Sequence, residues 1–74
     1  MRKIRFELSI APDRFLAYYN GEIRQVQVTS LDGEIVRFPA HALRPFLQHN
    51  GISGLFEIAF DCRNRLVYLE RAGL

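Results

Sequence analysis

The residues best suited to chemistry crowd into one stretch, Val36 to Ile52 (VRFPAHALRPFLQHNGI). It holds two histidines, His41 and His49, and two arginines, of which Arg44 is set between Pro39, Pro45 and Asn50-Gly51. The histidines lie eight positions apart across a proline break. Helical metal ligands need closer spacing, and no neighbouring Cys or carboxylate completes a set, so no metal centre is expected. His41 reads as a surface residue early in a turn, and His49 as part of a helix end. Arg44 is the most informative of the three. Pro45 restricts its backbone, and a guanidinium fixed in this way suits a carboxylate or a phosphate. The competing reading is an internal salt bridge to Glu22, Glu34 or Glu57 that only fastens the loop.

Outside this stretch the chemistry is sparse. Cys62 is the single cysteine, so no internal disulfide can form. It sits in a turn-like DCRNR context beside Arg63, with no base placed to make the thiol a nucleophile. There is no glycine-rich phosphate loop, no usefully spaced pair of carboxylates and no serine with a base. The expectation is therefore no catalytic activity and no cofactor. Arg5, Arg24 and Arg37 alternate with apolar residues. On neighbouring strands they would share one positive, solvent-facing surface for a nucleic-acid backbone or another anionic ligand. Glu7, Glu22 and Glu34 are interspersed among them, and no aromatic residue alternates with them for base stacking, so nucleic acid is not favoured. Tyr18 lies off the apolar stripe of its helix and is a candidate contact residue, or else a cover for a core edge.

The elements that must position these residues follow from periodicity. Lys3 to Ile10 alternates strictly, with Ile4, Phe6, Leu8 and Ile10 on one face, as a strand with one buried side does. Pro12 suits a first helical position and Asp13 a first turn. The helix they open carries Phe15, Leu16 and Tyr19 as its apolar stripe and ends at Asn20-Gly21. Glu22 to Ser30 is a second strand with Val26 and Val28 inward. Asp32-Gly33 then marks a hairpin turn into a third strand, Glu34 to Phe38, with Val36 and Phe38 opposite Ile35 and Arg37. Pro39 stops that strand. Two short turns, Pro39 to Leu43 and Pro45 to His49, are expected to hinge at Arg44. Gly54 to Asp61 and Arg65 to Arg71 form a second hairpin, with Phe56, Ile58 and Phe60 on one face. In the last strand Leu66 and Tyr68 are expected opposite Val67 and Leu69, and the Ala72-Gly73-Leu74 tail is expected to fray.

These elements predict an α+β fold in the order β-α-β-β-α-β-β. The expected form is a five-stranded, mostly antiparallel curved sheet or partly open barrel, with two short helices covering a side or an end. The 74 residues make one small domain, 1–74, which buries only about 60% of its unfolded surface. Hydrophobic residues make up 49%, too many for a disordered chain. The net charge is +2, carried by nine arginines against the single Lys3. Arginine codon usage explains that bias as readily as phosphate recognition does. No segment approaches the about 20 apolar residues of a membrane span, and the N-terminus lacks a signal-peptide core, so the cytoplasm is expected and no membrane partner.

Three segments, FPAHALRPF, HNGISGLFEIAFD and RLVYLE, together resemble a family of short proteobacterial proteins, the domain of unknown function DUF2835. The resemblance runs from FELSI through the Tyr-Tyr helix to RLVYLE. It is carried by Phe38-Pro39-Ala40, Leu43-Arg44-Pro45-Phe46 and Gly51-Ile52 with Gly54. It implies a stand-alone, small, soluble bacterial protein and carries over no activity, cofactor or catalytic residue.

The preferred functional expectation is a non-enzymatic protein-interaction module that self-associates as a homodimer or small homo-oligomer. A thin core and exposed strand edges motivate it. The alternative is nucleic-acid or anionic-ligand binding through the arginines. The candidate contact residues are Arg44, His41, Arg37, Arg24, Arg5 and Tyr18.

Overall fold

A computed structural model of the chain describes residues 1–73, apart from the side chain of Phe15. Five strands form: β1 (Arg2–Ile10), β2 (Gln25–Thr29), β3 (Ile35–Pro39), β4 (Ile52–Phe60) and β5 (Leu66–Arg71). Between β1 and β2 lie a single 3-10 turn, Pro12–Arg14, and the α-helix α1, Phe15–Tyr19. Between β3 and β4 lies a 3-10 helix, Ala40–Phe46. The α+β class with antiparallel strands and short helices is therefore the class observed.

The strands divide between two antiparallel sheets, one of order β1-β4-β5 and one made of β2-β3, where a single five-stranded sheet had been expected. β1 pairs with β4 along its whole length, from Arg2 opposite Phe60 to Ile10 opposite Ile52. Among the described residues, the backbone joins β1 to the β2–β3 hairpin through a bridge between Phe6 and Ser30 and through the bond from Leu31 N–H to Arg5 O. Ser30 explains the brevity of that contact. Its Oγ accepts from the backbone N–H groups of Asp32 and Glu34, which bends the chain into the Asp32-Gly33 turn and away from β1.

Both sheets turn an apolar face to one core. Ile4, Phe6 and Ile10 come from β1, Val26 and Val28 from β2, Val36 and Phe38 from β3, and Phe56, Ile58 and Phe60 from β4. The Phe6 ring joins the two sheets, with centroids 5.7 Å from Phe38 and 6.0 Å from Phe56. The period-2 patterns read from the sequence for β1 to β4 match these faces.

Four local expectations are corrected. Val36–Ile52 does not hinge at Arg44. One 3-10 helix runs through Pro45, and Leu47 then turns extended. The reason is a stripe at period three: Ala40 and Leu43 are buried, and Phe46 packs edge-on against Phe56 at 5.3 Å. With three residues per turn, positions i and i+3 eclipse, so this spacing seats a 3-10 helix on the core and outweighs the preference that Pro45 imposes on Arg44. In α1 the expected stripe fails, since Leu16 is 62% and Tyr19 54% exposed. Tyr18 packs against the core instead, with Ala17 half-buried beside it; the side chain of Phe15 lies outside the described residues. In β5 a bulge at Val67 places Leu66 opposite Phe60 and Leu69 opposite Ile58, so Leu66 and Leu69 share the core face and Tyr68 the outer one. Finally, Ala72 is tied by its N–H to Leu55 O at 2.9 Å, so the tail is anchored there, while Leu74 lies outside the described residues.

Candidate functional site

The period-three geometry that seats Ala40, Leu43 and Phe46 on the core sets His41 and Arg44 together on a second stripe. Both line a shallow pocket of about 250 Å³ whose other walls are Tyr18, Gly21, Ile23 and Arg24. Three segments thus build it: α1, the connector into β2, and the Ala40–Phe46 helix. Two backbone bonds fix them to one another. Ile23 N–H donates to Ala17 O at 3.2 Å, and Ala40 N–H donates to Arg24 O at 2.8 Å.

The site is cationic and lacks a balancing acid. Among the described residues no carboxylate lines it. Among the described residues the ion pairs are Arg2–Glu34, Arg5–Glu57 and Arg65–Asp61, so neither Arg24 nor Arg44 has an acidic partner. Of the three carboxylates that were candidates to hold Arg44, Glu34 and Glu57 are engaged elsewhere and Glu22 is exposed. Arg44 is steadied instead by Tyr19, with its Cζ 5.9 Å from the ring centroid, at the outer reach of a cation–π contact. Its guanidinium therefore stays exposed and available for hydrogen bonding.

The structure gathers four of the six candidate residues, Tyr18, Arg24, His41 and Arg44, and leaves two outside. Arg5 lies on the outer face of the three-stranded sheet, where its Nε donates to Glu57 Oε1 at 3.0 Å. Arg37 lies on the outer face of the two-stranded sheet, and its Nε donates to Gln27 Oε1 at 3.0 Å. β1 is not a ladder neighbour of β2 and β3, so the positive face that Arg5, Arg24 and Arg37 would have shared does not form. Sequence reasoning missed Gly21 and Ile23. The first had read only as a helix stop and the second only as part of a strand. The spacing of His41 and Arg44, read at period three, was the signal that links them. His49 sits in the turn closed by the Gln48–Gly51 bridge, outside this pocket.

The groups with shifted acidities lie away from the pocket. On the outer face of the three-stranded sheet, Tyr68 Oη donates to Glu57 Oε2 at 2.6 Å. That bond, followed by burial, pushes the Tyr68 phenol up to about 12. The same bond, with the one from Arg5, holds Glu57 below the usual carboxylate range. In the β4–β5 turn, Asp61 is also held low, chiefly by accepting from the backbone N–H of Arg65 and then of Arg63. These are cross-strand and turn fastenings. No group of three or more His, Cys, Asp or Glu side chains among the described residues is placed to hold a metal ion. No helix among them is long and apolar enough to cross a membrane.

A family model described as "Protein of unknown function (DUF2835)" matches residues 2–72, and the chain belongs to that family. No curated protein and no solved structure matches it.

Proposed function

We propose that this DUF2835 protein is a non-enzymatic binding module whose Arg24–His41–Arg44 pocket holds an anionic group. One observation carries the reading: two arginines and a histidine line a single pocket into which, among the described residues, no carboxylate enters. Arginines left without an acid in a folded domain retain their full capacity for charge-assisted, forked hydrogen bonds. Two such bonds at about 2 kcal/mol each correspond to a Kd of about 1 mM for a bare anion, and a larger ligand adds to that. Calorimetric titration with inorganic phosphate tests this. Saturable binding is expected in the wild type and a loss of heat in the double variant Arg24→Gln, Arg44→Gln. Equal heats in both would remove the pocket from consideration.

Self-association is the second reading, and the β5 edge favours it. β5 is the outermost strand of its sheet, and at its bulge Val67 is 48% exposed. An open edge with an exposed β-branched residue is a template for strand addition by a second copy. Sedimentation at high concentration decides the matter, since a clean 8.6 kDa monomer contradicts it.

A further inference from the structure

We infer that the group held at this pocket is the terminal phosphoryl group of a small phosphomonoester; the inference rests on the anion-binding reading. Three cationic or proton-donating side chains line the pocket from two separate places in the chain, Arg24 before β2 and His41 with Arg44 on the 3-10 helix. A carboxylate has two oxygens in one plane, and the fork of a single arginine occupies both. It would leave the second guanidinium and the imidazole unused. A phosphomonoester carries three terminal oxygens around a tetrahedral centre and about −1.5 to −2 charges at neutral pH. That number of acceptors and that charge match two guanidinium groups and an imidazole.

Size and surroundings separate a small molecule from a polymer. The pocket's 250 Å³ equals about eight water volumes at roughly 30 Å³ each, enough for a phosphoryl group and a short organic stem. Tyr18 and Ile23 supply a partly apolar wall for that stem. A nucleic-acid strand would present internal diesters, each with one charge and two free oxygens, and would need further cations along its path. The other candidate arginines do not supply that path, because Arg5 is bonded to Glu57 and Arg37 to Gln27 on outer sheet faces.

A titration series on the wild-type protein, observed by protein NMR at constant ionic strength and pH, tests the inference. The probes are inorganic phosphate, glycerol phosphate, dimethyl phosphate and acetate. Inorganic phosphate and glycerol phosphate should shift the same pocket signals and bind about thirtyfold more tightly than the other two, the worth of one further charge-assisted hydrogen bond. Acetate or dimethyl phosphate binding as tightly as phosphate overturns the phosphomonoester assignment and leaves the anion reading standing. Inorganic phosphate binding without glycerol phosphate also overturns it, because the pocket would then admit no ester stem. If none of the four binds, both readings fall. Arg24→Lys provides the control for charge: it keeps the cation but loses the fork, so the preference for phosphate over acetate should shrink while both still bind.

Discussion

Substituting alanine for two glycines separates backbone strain from steric contact and tests how the Val36–Ile52 stretch is fastened. Gly33 and Gly51 have nearly equal φ, +89° and +90°, in the left-handed region. Gly33 sits in the Asp32-Gly33 turn, and a Cβ there meets nothing within 4 Å. Gly33→Ala should therefore cost only the left-handed penalty, about 1–2 kcal/mol. A Cβ on Gly51 would stand 2.2 Å from Ile10 O, with Ala11 C and Pro12 N at 3.2 Å, all of them backbone atoms. Relief requires moving the end of β1, where Ile10 is paired to Ile52. That adds an overpacking term of about 1–3 kcal/mol, for a total of about 2–5 kcal/mol. A domain of this length is stable by roughly 4–11 kcal/mol at 0.05–0.15 kcal/mol per residue, so Gly51→Ala consumes a large share of the whole. Urea unfolding of the two variants measures the difference directly. Equal costs for Gly33→Ala and Gly51→Ala would refute the close approach between the β4 entrance and the end of β1.

Three further outcomes follow from the same geometry. Leu43→Ala removes the fully buried middle of the period-three stripe and should cost about 2–5 kcal/mol in urea unfolding; a loss below about 1 kcal/mol would mean that the helix is not seated on that stripe. Arg44→Ala should change stability by less than about 1 kcal/mol, the worth of an exposed cation–π contact, whereas a larger loss would make the residue a structural fastening. The Tyr68–Glu57 pair makes stability depend on pH at both ends. The raised phenol contributes fully below its ordinary 10.0 and its contribution is lost as pH climbs toward about 12; the depressed Glu57 carboxyl contributes above its ordinary 4.5 and its contribution is lost as pH falls below that. Tyr68→Phe should abolish the alkaline limb and make the acid limb shallower, so an unchanged profile of unfolding free energy against pH would contradict the pairing.

Much of the fold was legible because burial on one face of a strand writes a period of two. Ile4-Phe6, Val26-Val28, Val36-Phe38 and Phe56-Ile58-Phe60 all announce the core side on which they are found. Turn chemistry announced the hairpins, through Asp32-Gly33 for β2–β3 and Asp61 to Asn64 for β4–β5. The division into two sheets was not legible. Antiparallel pairing of β1 with β4, whose nearest partners Ile10 and Ile52 are separated by 41 intervening residues, leaves no local mark, and the serine hydroxyl of Ser30 bends the chain where β2 leaves β1. The bulge at Val67 was equally silent, since one inserted residue reverses the faces that alternation assigns to Leu66 and Tyr68. Within the candidate site, Arg44 and His41 stood out by residue type and by their place between prolines. Their convergence with Arg24 and Tyr18 depends on the hydrogen bonds from Ile23 N–H to Ala17 O and from Ala40 N–H to Arg24 O, which no periodicity encodes.

The most direct test of the anion-binding pocket observes the guanidinium groups themselves. Side-chain Nε–Hε correlation signals of the arginines can be followed while inorganic phosphate is added at constant ionic strength. The predicted result is saturable movement of the Arg24 and Arg44 signals, while Arg5, bonded to Glu57, and Arg37, bonded to Gln27, hold their positions. Small, unsaturable drifts of all the arginines together would be ionic screening and would contradict a pocket at Arg24, His41 and Arg44.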